Sequence, residues 1–250
     1  MQDRYAGDIG DYGKFALLRL MEQHGFYLGV NWYNTSPEKK PEDKEANTPK
    51  TPEKVGDGRY RIPEKYRLCD EELADKLTEI FDHPSRSINM LESTSILKTG
   101  RYVHGLVPRD SEKRLEWHNE AIKALADCDT IFLDPDNGME VKSAPRGSAK
   151  SVKYVLYPEL ADYLYLSGDK VVILYQHRPR VREAAYLERM KQNFEKHGIR
   201  KAMNVVVFPR YTVRDYFIFS RSGQQEQRIQ AALDDLREGP FRDMGMCRIL

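Results

Sequence analysis

Cysteine is scarce in this chain: Cys69, Cys128 and Cys247 are its three, widely separated and without a C-x-x-C pair. That count and spacing argue against a disulfide framework and against a structural zinc site, and they suit a reducing, cytoplasmic setting. The opening MQDRYAGDIG lacks the charged-then-apolar pattern of a leader, and no apolar run approaches the length of a membrane span, so a soluble protein without a membrane partner is expected. Charge of one sign is lacking too. Lys and Arg number 40 against 39 Asp and Glu, a net +1, so contact with nucleic acid would have to come from local clusters and not from bulk charge.

What is present is an alternation of helical and strand patterns along 250 residues, a length that suits a single α/β domain spanning 1–250. Residues 12–24 carry apolar positions at helical spacing and stop at Gly25, and FYLGVNWYN follows as a strand. Residues 36–58 are dominated by Pro, Lys, Glu and Asp, the composition of a flexible surface insertion. DEELADKLTEIF reads as a helix, SINMLES as a short strand ending at Glu92, and SEKRLEWHNEAIKALADC as a helix before the strand TIFL. A helix near PELADYLYLS, the strand KVVILYQH, the helix REAAYLERMKQNFEKHG, the strands MNVVVF and DYFIFSR and a closing helix QQEQRIQAALDDLREG complete the order. This order predicts a mostly parallel, Rossmann-like sheet with helices on both faces and a C-terminal antiparallel hairpin, the layout of class I methyltransferases among other open α/β folds.

In such sheets the ligand crevice lies beyond the carboxyl ends of the strands. The richest chemistry at a strand end is TIFLDPDNG, where an apolar run breaks into Asp134, Pro135, Asp136, Asn137 and Gly138. A turn capped by Asx side chains is one reading. The other is functional, since two carboxylates this close repel unless a cation, a proton or basic neighbours offset them. Gln176 and His177 at the end of KVVILYQH, followed by Arg178, Arg180 and Arg182, offer a proton-transfer group and phosphate-binding guanidinium groups. Asn31 and Glu92, with Trp32, Tyr33 and Tyr175, are expected on the same rim.

The segment YAGDIGDYGKFALLRLM resembles the opening of the bacterial large-subunit ribosomal RNA adenine-N6 methyltransferases, with Ala6, Gly7, Asp11 and Lys14 in register with the H-A-G-N-x-A-D-x-x-K-H pattern of that family. LDPDNG falls where the family has its D-P-P-F catalytic turn, and FYLGVNWYN where its glycine-rich cofactor loop begins. The resemblance implies a class I methyltransferase-like fold, S-adenosylmethionine as cofactor, a nucleic-acid substrate, DNA or RNA, and a pocket shaped by Asp11 and Lys14, with Asn31 and Glu92 on the cofactor side. It implies that Asp134 accepts a hydrogen bond from the target amine. Two departures stand out: NWYNTSPE contains no glycine, and Asp136 and Asn137 replace the second proline and the aromatic residue of the turn.

Three functions follow from these residues. The first is a nucleic-acid-directed enzyme resembling the adenine-N6 methyltransferases, in which Asp134 holds the target amine and Asp11 and Lys14 shape the pocket; Asp136, Asn137, Gln176 and His177 are the further catalytic candidates at these strand ends. The second is a Mg²⁺-dependent nuclease or phosphodiesterase with Glu92, Asp134 and Asp136 as ligands and His177 acting on the phosphate. The third is a non-catalytic binding protein on the same fold.

Overall fold

The computed structural model of the chain describes residues 2–35, 60–165, 168–199 and 202–250; the insertion expected at 36–58 lies outside these described residues. In chain order the elements are α1 (Ile9–Gln23), β1 (Leu28–Asn31), α2 (Glu64–Arg67), α3 (Glu71–Asp82), α4 (Ile88–Ser93), β2 (Arg101–Val103), α5 (Ser111–Ala124), β3 (Thr130–Leu133), β4 (Gly138–Met139), β5 (Tyr154–Val155), α6 (Tyr157–Tyr165), β6 (Val171–His177), α7 (Glu183–Lys196), β7 (Ala202–Phe208), β8 (Arg214–Ser220), α8 (Gly223–Glu238), α9 (Pro240–Asp243) and β9 (Arg248–Ile249).

A seven-stranded sheet carries the fold in the order β2-β1-β3-β6-β8-β7-β9, with β4 and β5 forming a separate two-stranded ribbon. Strands β2, β1, β3 and β6 run parallel. Strand β8 enters antiparallel between β6 and β7. The predicted α/β class, mostly parallel core and C-terminal hairpin are therefore present. Strand β3 is buried along its whole length, as its continuous apolar run requires in a sheet covered on both faces.

Alternation along each strand divides the core in two. Val30, Phe132, Ile173, Ile218 and Val206 pack with α1, α3 and α8 on one face. Ile131, Leu133, Leu174, Phe217 and Val205 pack with α5, α6 and α7 on the other.

Several local expectations are corrected. The segment SINMLES is helical, not a strand, because Ile88 and Leu91 bury on one side of a short turn three residues apart. Helix α1 starts three residues earlier than its apolar pattern indicates, since Asp8 caps it by accepting from the Gly10 and Asp11 N–H groups. The edge strands β2 and β9, at three and two residues, are too short to leave a period in the sequence.

Among the described residues no helix is long and apolar enough to cross a membrane.

Candidate functional site

The carboxyl ends of β3 and β6 open into a cavity of about 270 Å³, closed on one side by the first turns of α1. Asp8, Asp11 and Lys14 reach it from α1 and its cap, Asp134 to Asn137 from the end of β3, Tyr175 and His177 from β6, and Arg214 from the start of β8. Because β8 runs antiparallel beside β6, its first residue meets the last residue of β6, and His177 pairs with Arg214 in the ladder. That register puts an arginine from a distant part of the chain onto the crevice.

Lys14 is the hub. Its Nζ lies 2.7 Å from Asp11 Oδ1 and 2.8 Å from Asp134 Oδ2, with all three side chains buried. Burial opposes the ammonium charge, but Asp11 and Asp134 more than offset it and raise the pKa, so Lys14 is a cation at neutral pH. Asp11 Oδ2 also accepts from the Gly7 N–H, which fixes the turn before α1. Burial raises the Asp134 carboxyl above its ordinary range, against the pull of Lys14.

Asp8 has two tasks. Its Oδ1 caps α1, 2.6 Å from the Gly10 N and 3.0 Å from the Asp11 N, while its Oδ2 stands 3.8 Å from Arg214. Burial, helped by the charge of Asp11, pushes its pKa up to about 6. Arg214 lies against the first turn of α1 at a point where only glycine leaves room: a Cβ on Gly10 would sit 2.5 Å from Arg214 Nε. Burial and the neighbouring Arg214 charge lower the His177 pKa, so the imidazole is neutral at pH 7.

The Asp134–Gly138 corner is not a hairpin. Asn137 N–H donates to the Lys153 carbonyl and Gly138 begins β4, paired with β5. Asp136 Oδ2 accepts from Gln2 Nε2 at 2.7 Å and from Thr35 Oγ1 at 3.0 Å. Burial works against its charge, yet bonds such as these hold its pKa below the ordinary value, so it is an anion. Gly138 has φ +111, and a Cβ there would lie 2.2 Å from Gln176 Oε1, so this position needs glycine for both conformation and space.

The structure thus brings together Asp11, Lys14, Asp134, Asp136, Asn137 and His177, as the sequence suggested. Other expected residues fall elsewhere. Gln176 is a clamp: Oε1 accepts from the Met139 N–H, and Nε2 donates to the Asn137 and His177 carbonyls, binding the corner to β6. Asn31 is buried behind the rim, donating to Tyr163 Oη and accepting from the Tyr33 N–H. Arg178 turns inward to Asp215, with Nε–Oδ2 2.8 Å and Nη2–Oδ1 2.5 Å, and to Glu183. Glu92 rides on α4, where it accepts from Trp32 Nε1 at 2.7 Å; it does not line the cavity.

The metal triad is corrected by this placement. Glu92 bonds to Trp32, whose ring lies 5.4 Å from the Lys14 ammonium, and Asp134 already has that ammonium as its counter-ion. Among the described residues no group of three or more His, Cys, Asp or Glu side chains is arranged to hold a metal ion.

The cofactor expected from the resemblance also fails to fit. Beyond β1, where a glycine loop would let backbone approach a nucleoside cofactor, Trp32 and Tyr33 are fully buried. Tyr33 Oη donates to Glu159, which is held in turn by Arg114 Nε at 2.6 Å, so this part of the crevice is packed with side chains. Among the described residues, those beyond β1 do not offer a cradle for S-adenosylmethionine.

Asp8, Arg214, Arg4, Tyr5, Tyr60 and Lys153 are cavity residues that sequence reasoning missed. For Asp8 a signal existed, an aspartate before a helix with its first apolar residue next to it. Comparison with protein-family models and with curated proteins finds no match to the chain.

Proposed function

We propose that this protein is nucleic-acid-directed and that its cavity takes one extruded nucleotide bearing an exocyclic amine. The strand order, with an antiparallel strand inserted beside the last parallel one, supports a class I methyltransferase-like scaffold on which this site sits at the end of β3. The observation that carries the reading is Asp134, locked by Lys14, with Asn137 three residues on lining the same cavity. A carboxylate accepts from an amine, and a carboxamide can donate to a neighbouring ring nitrogen. Together they match the donor-then-acceptor edge of adenine or cytosine.

The rest of the lining suits the remainder of a nucleotide. Pro135 and Tyr175 supply apolar surface for a base face, while Arg4, Lys153 and Arg214 supply positive charge for a phosphate. The volume of about 270 Å³ is on the scale of a single small-molecule ligand. Extraction of a single base from a strand is how proteins reach such an edge. At pH 7 Asp8, with its pKa of about 6, is mostly a carboxylate and His177 is neutral, so both are able to accept a proton from a bound ligand.

Calorimetric titration with adenosine monophosphate tests this reading. Binding that is lost in Asp134→Asn supports it; absence of binding by the wild-type protein at millimolar ligand refutes it.

A further inference from the structure

Two tyrosines from separate parts of the chain, Tyr5 and Tyr60, line the cavity, and a third, Tyr211, packs its ring against Tyr60. Tyr5, 42% exposed, lines the opening with the Arg4 guanidinium 4.7 Å from its ring centroid. Tyr60 lines it as well, and its ring is 6.0 Å from that of Tyr211 at 51°. Tyr211 is 55% exposed. Core packing explains none of this exposure.

Tyr211 is also backbone-strained. It sits at φ +59, in the left-handed region that a bulky side chain rarely adopts. The carbonyls on either side of it, those of Arg210 and Thr212, both accept from Arg214 Nη1, at 3.2 and 3.3 Å. The cavity arginine therefore holds the loop in the conformation that turns this ring outward. A strained, exposed aromatic fixed by a residue of the site points to a role at the site. Beyond His177, which lines the cavity, Arg180 and Arg182 are exposed within five residues of it in the segment that leaves β6.

We infer that this cluster is a stacking platform for single-stranded nucleic acid: Tyr5 and the Tyr60–Tyr211 pair take the bases flanking the extruded one, and Arg4, Arg180 and Arg182 follow the phosphates. The inference rests on the nucleotide reading of the cavity and names its substrate class. Flat aromatic faces beside guanidinium groups suit unpaired bases, which expose their faces, and not duplex, whose faces are already stacked. Ribose and deoxyribose strands share this chemistry.

The test is fluorescence anisotropy with labelled single strands of about eight nucleotides, in DNA and RNA arms, beside the corresponding duplexes and adenosine monophosphate. At least one single-strand arm is expected to bind about tenfold or more tightly than both the mononucleotide and its duplex. Tyr211→Asn keeps a residue that tolerates the left-handed backbone but removes the ring, so it should fold normally. It should lower the ratio of strand to mononucleotide affinity by about tenfold, and Tyr211→Phe should preserve it. Strands no tighter than the mononucleotide, or an unchanged ratio in Tyr211→Asn, would overturn the platform while leaving the cavity reading intact. Ring-dependent strand binding without mononucleotide binding would keep the platform and remove the cavity reading. Failure of every ligand would remove both.

Discussion

Lys14 Nζ stands 2.8 Å from Asp134 Oδ2, joining residues 120 positions apart in a contact buried from solvent. It ties α1 to the end of β3 and sets the orientation of the carboxylate on which the proposed recognition depends. Removing the ammonium would leave Asp11 and Asp134 as buried anions without their shared counter-ion. Lys14→Met should therefore cost about 3–5 kcal/mol of stability in urea denaturation. A loss below about 1 kcal/mol would show that the pair contributes little to holding the site.

The acid limb of the stability profile should carry the signature of Asp8. Its pKa in the folded protein, about 6, exceeds the ordinary 3.8, so the native state binds protons more tightly than the unfolded chain between those values. Stability therefore falls as pH rises through that window, by on the order of 3 kcal/mol for this group. Asp134, also raised by burial, acts in the same direction. His177 acts oppositely: its lowered pKa makes stability rise as pH approaches 6.5. Asp8→Asn, which retains a good helix cap, should shrink the fall between pH 4 and 6. An unchanged profile would place the titration elsewhere.

Gly138→Ala should destabilise the corner by about 1–3 kcal/mol from backbone strain alone, with a further cost from the 2.2 Å approach to Gln176 Oε1. Thermal unfolding gives the total. Because Gln176 clamps the same corner, Gly138→Ala and Gln176→Ala should be non-additive in a double-mutant cycle; simple additivity would show that the two positions act independently.

Glu92 provides the opposite expectation. Glu92→Gln keeps an acceptor for Trp32 Nε1 and lies outside the cavity, so nucleotide affinity should be unchanged. Glu92→Leu should cost about 1–3 kcal/mol of stability by removing the carboxylate acceptor of the Trp32 indole N–H. Loss of ligand binding in Glu92→Gln would return this residue to the site.

These predictions follow the line between what the sequence could and could not convey. TIFL and KVVILYQH announce buried strands because the sheet is covered on both faces, and the rule that ligands gather beyond strand ends then brings Asp134, Asp136, Asn137 and His177 together. Glu92 was misplaced because INMLES is too short to separate a helical turn from a strand by period. Arg214 was missed because its position depends on β8 lying antiparallel beside β6, a pairing between distant segments that local pattern does not encode. Gln176 and Arg178 were legible as polar residues at a strand end, but only three-dimensional partners, the corner backbone for one and Asp215 for the other, show them turned to structural work.

Recognition of an amine by Asp134 is tested most directly by comparing adenosine and inosine monophosphates, which differ at that group, in the wild-type protein and in Asp134→Asn. The account predicts that the wild type prefers the adenosine form by about 1–3 kcal/mol and that this preference collapses in the variant. Equal affinity of the wild type for the two nucleotides, or a preference that survives the substitution, would contradict it.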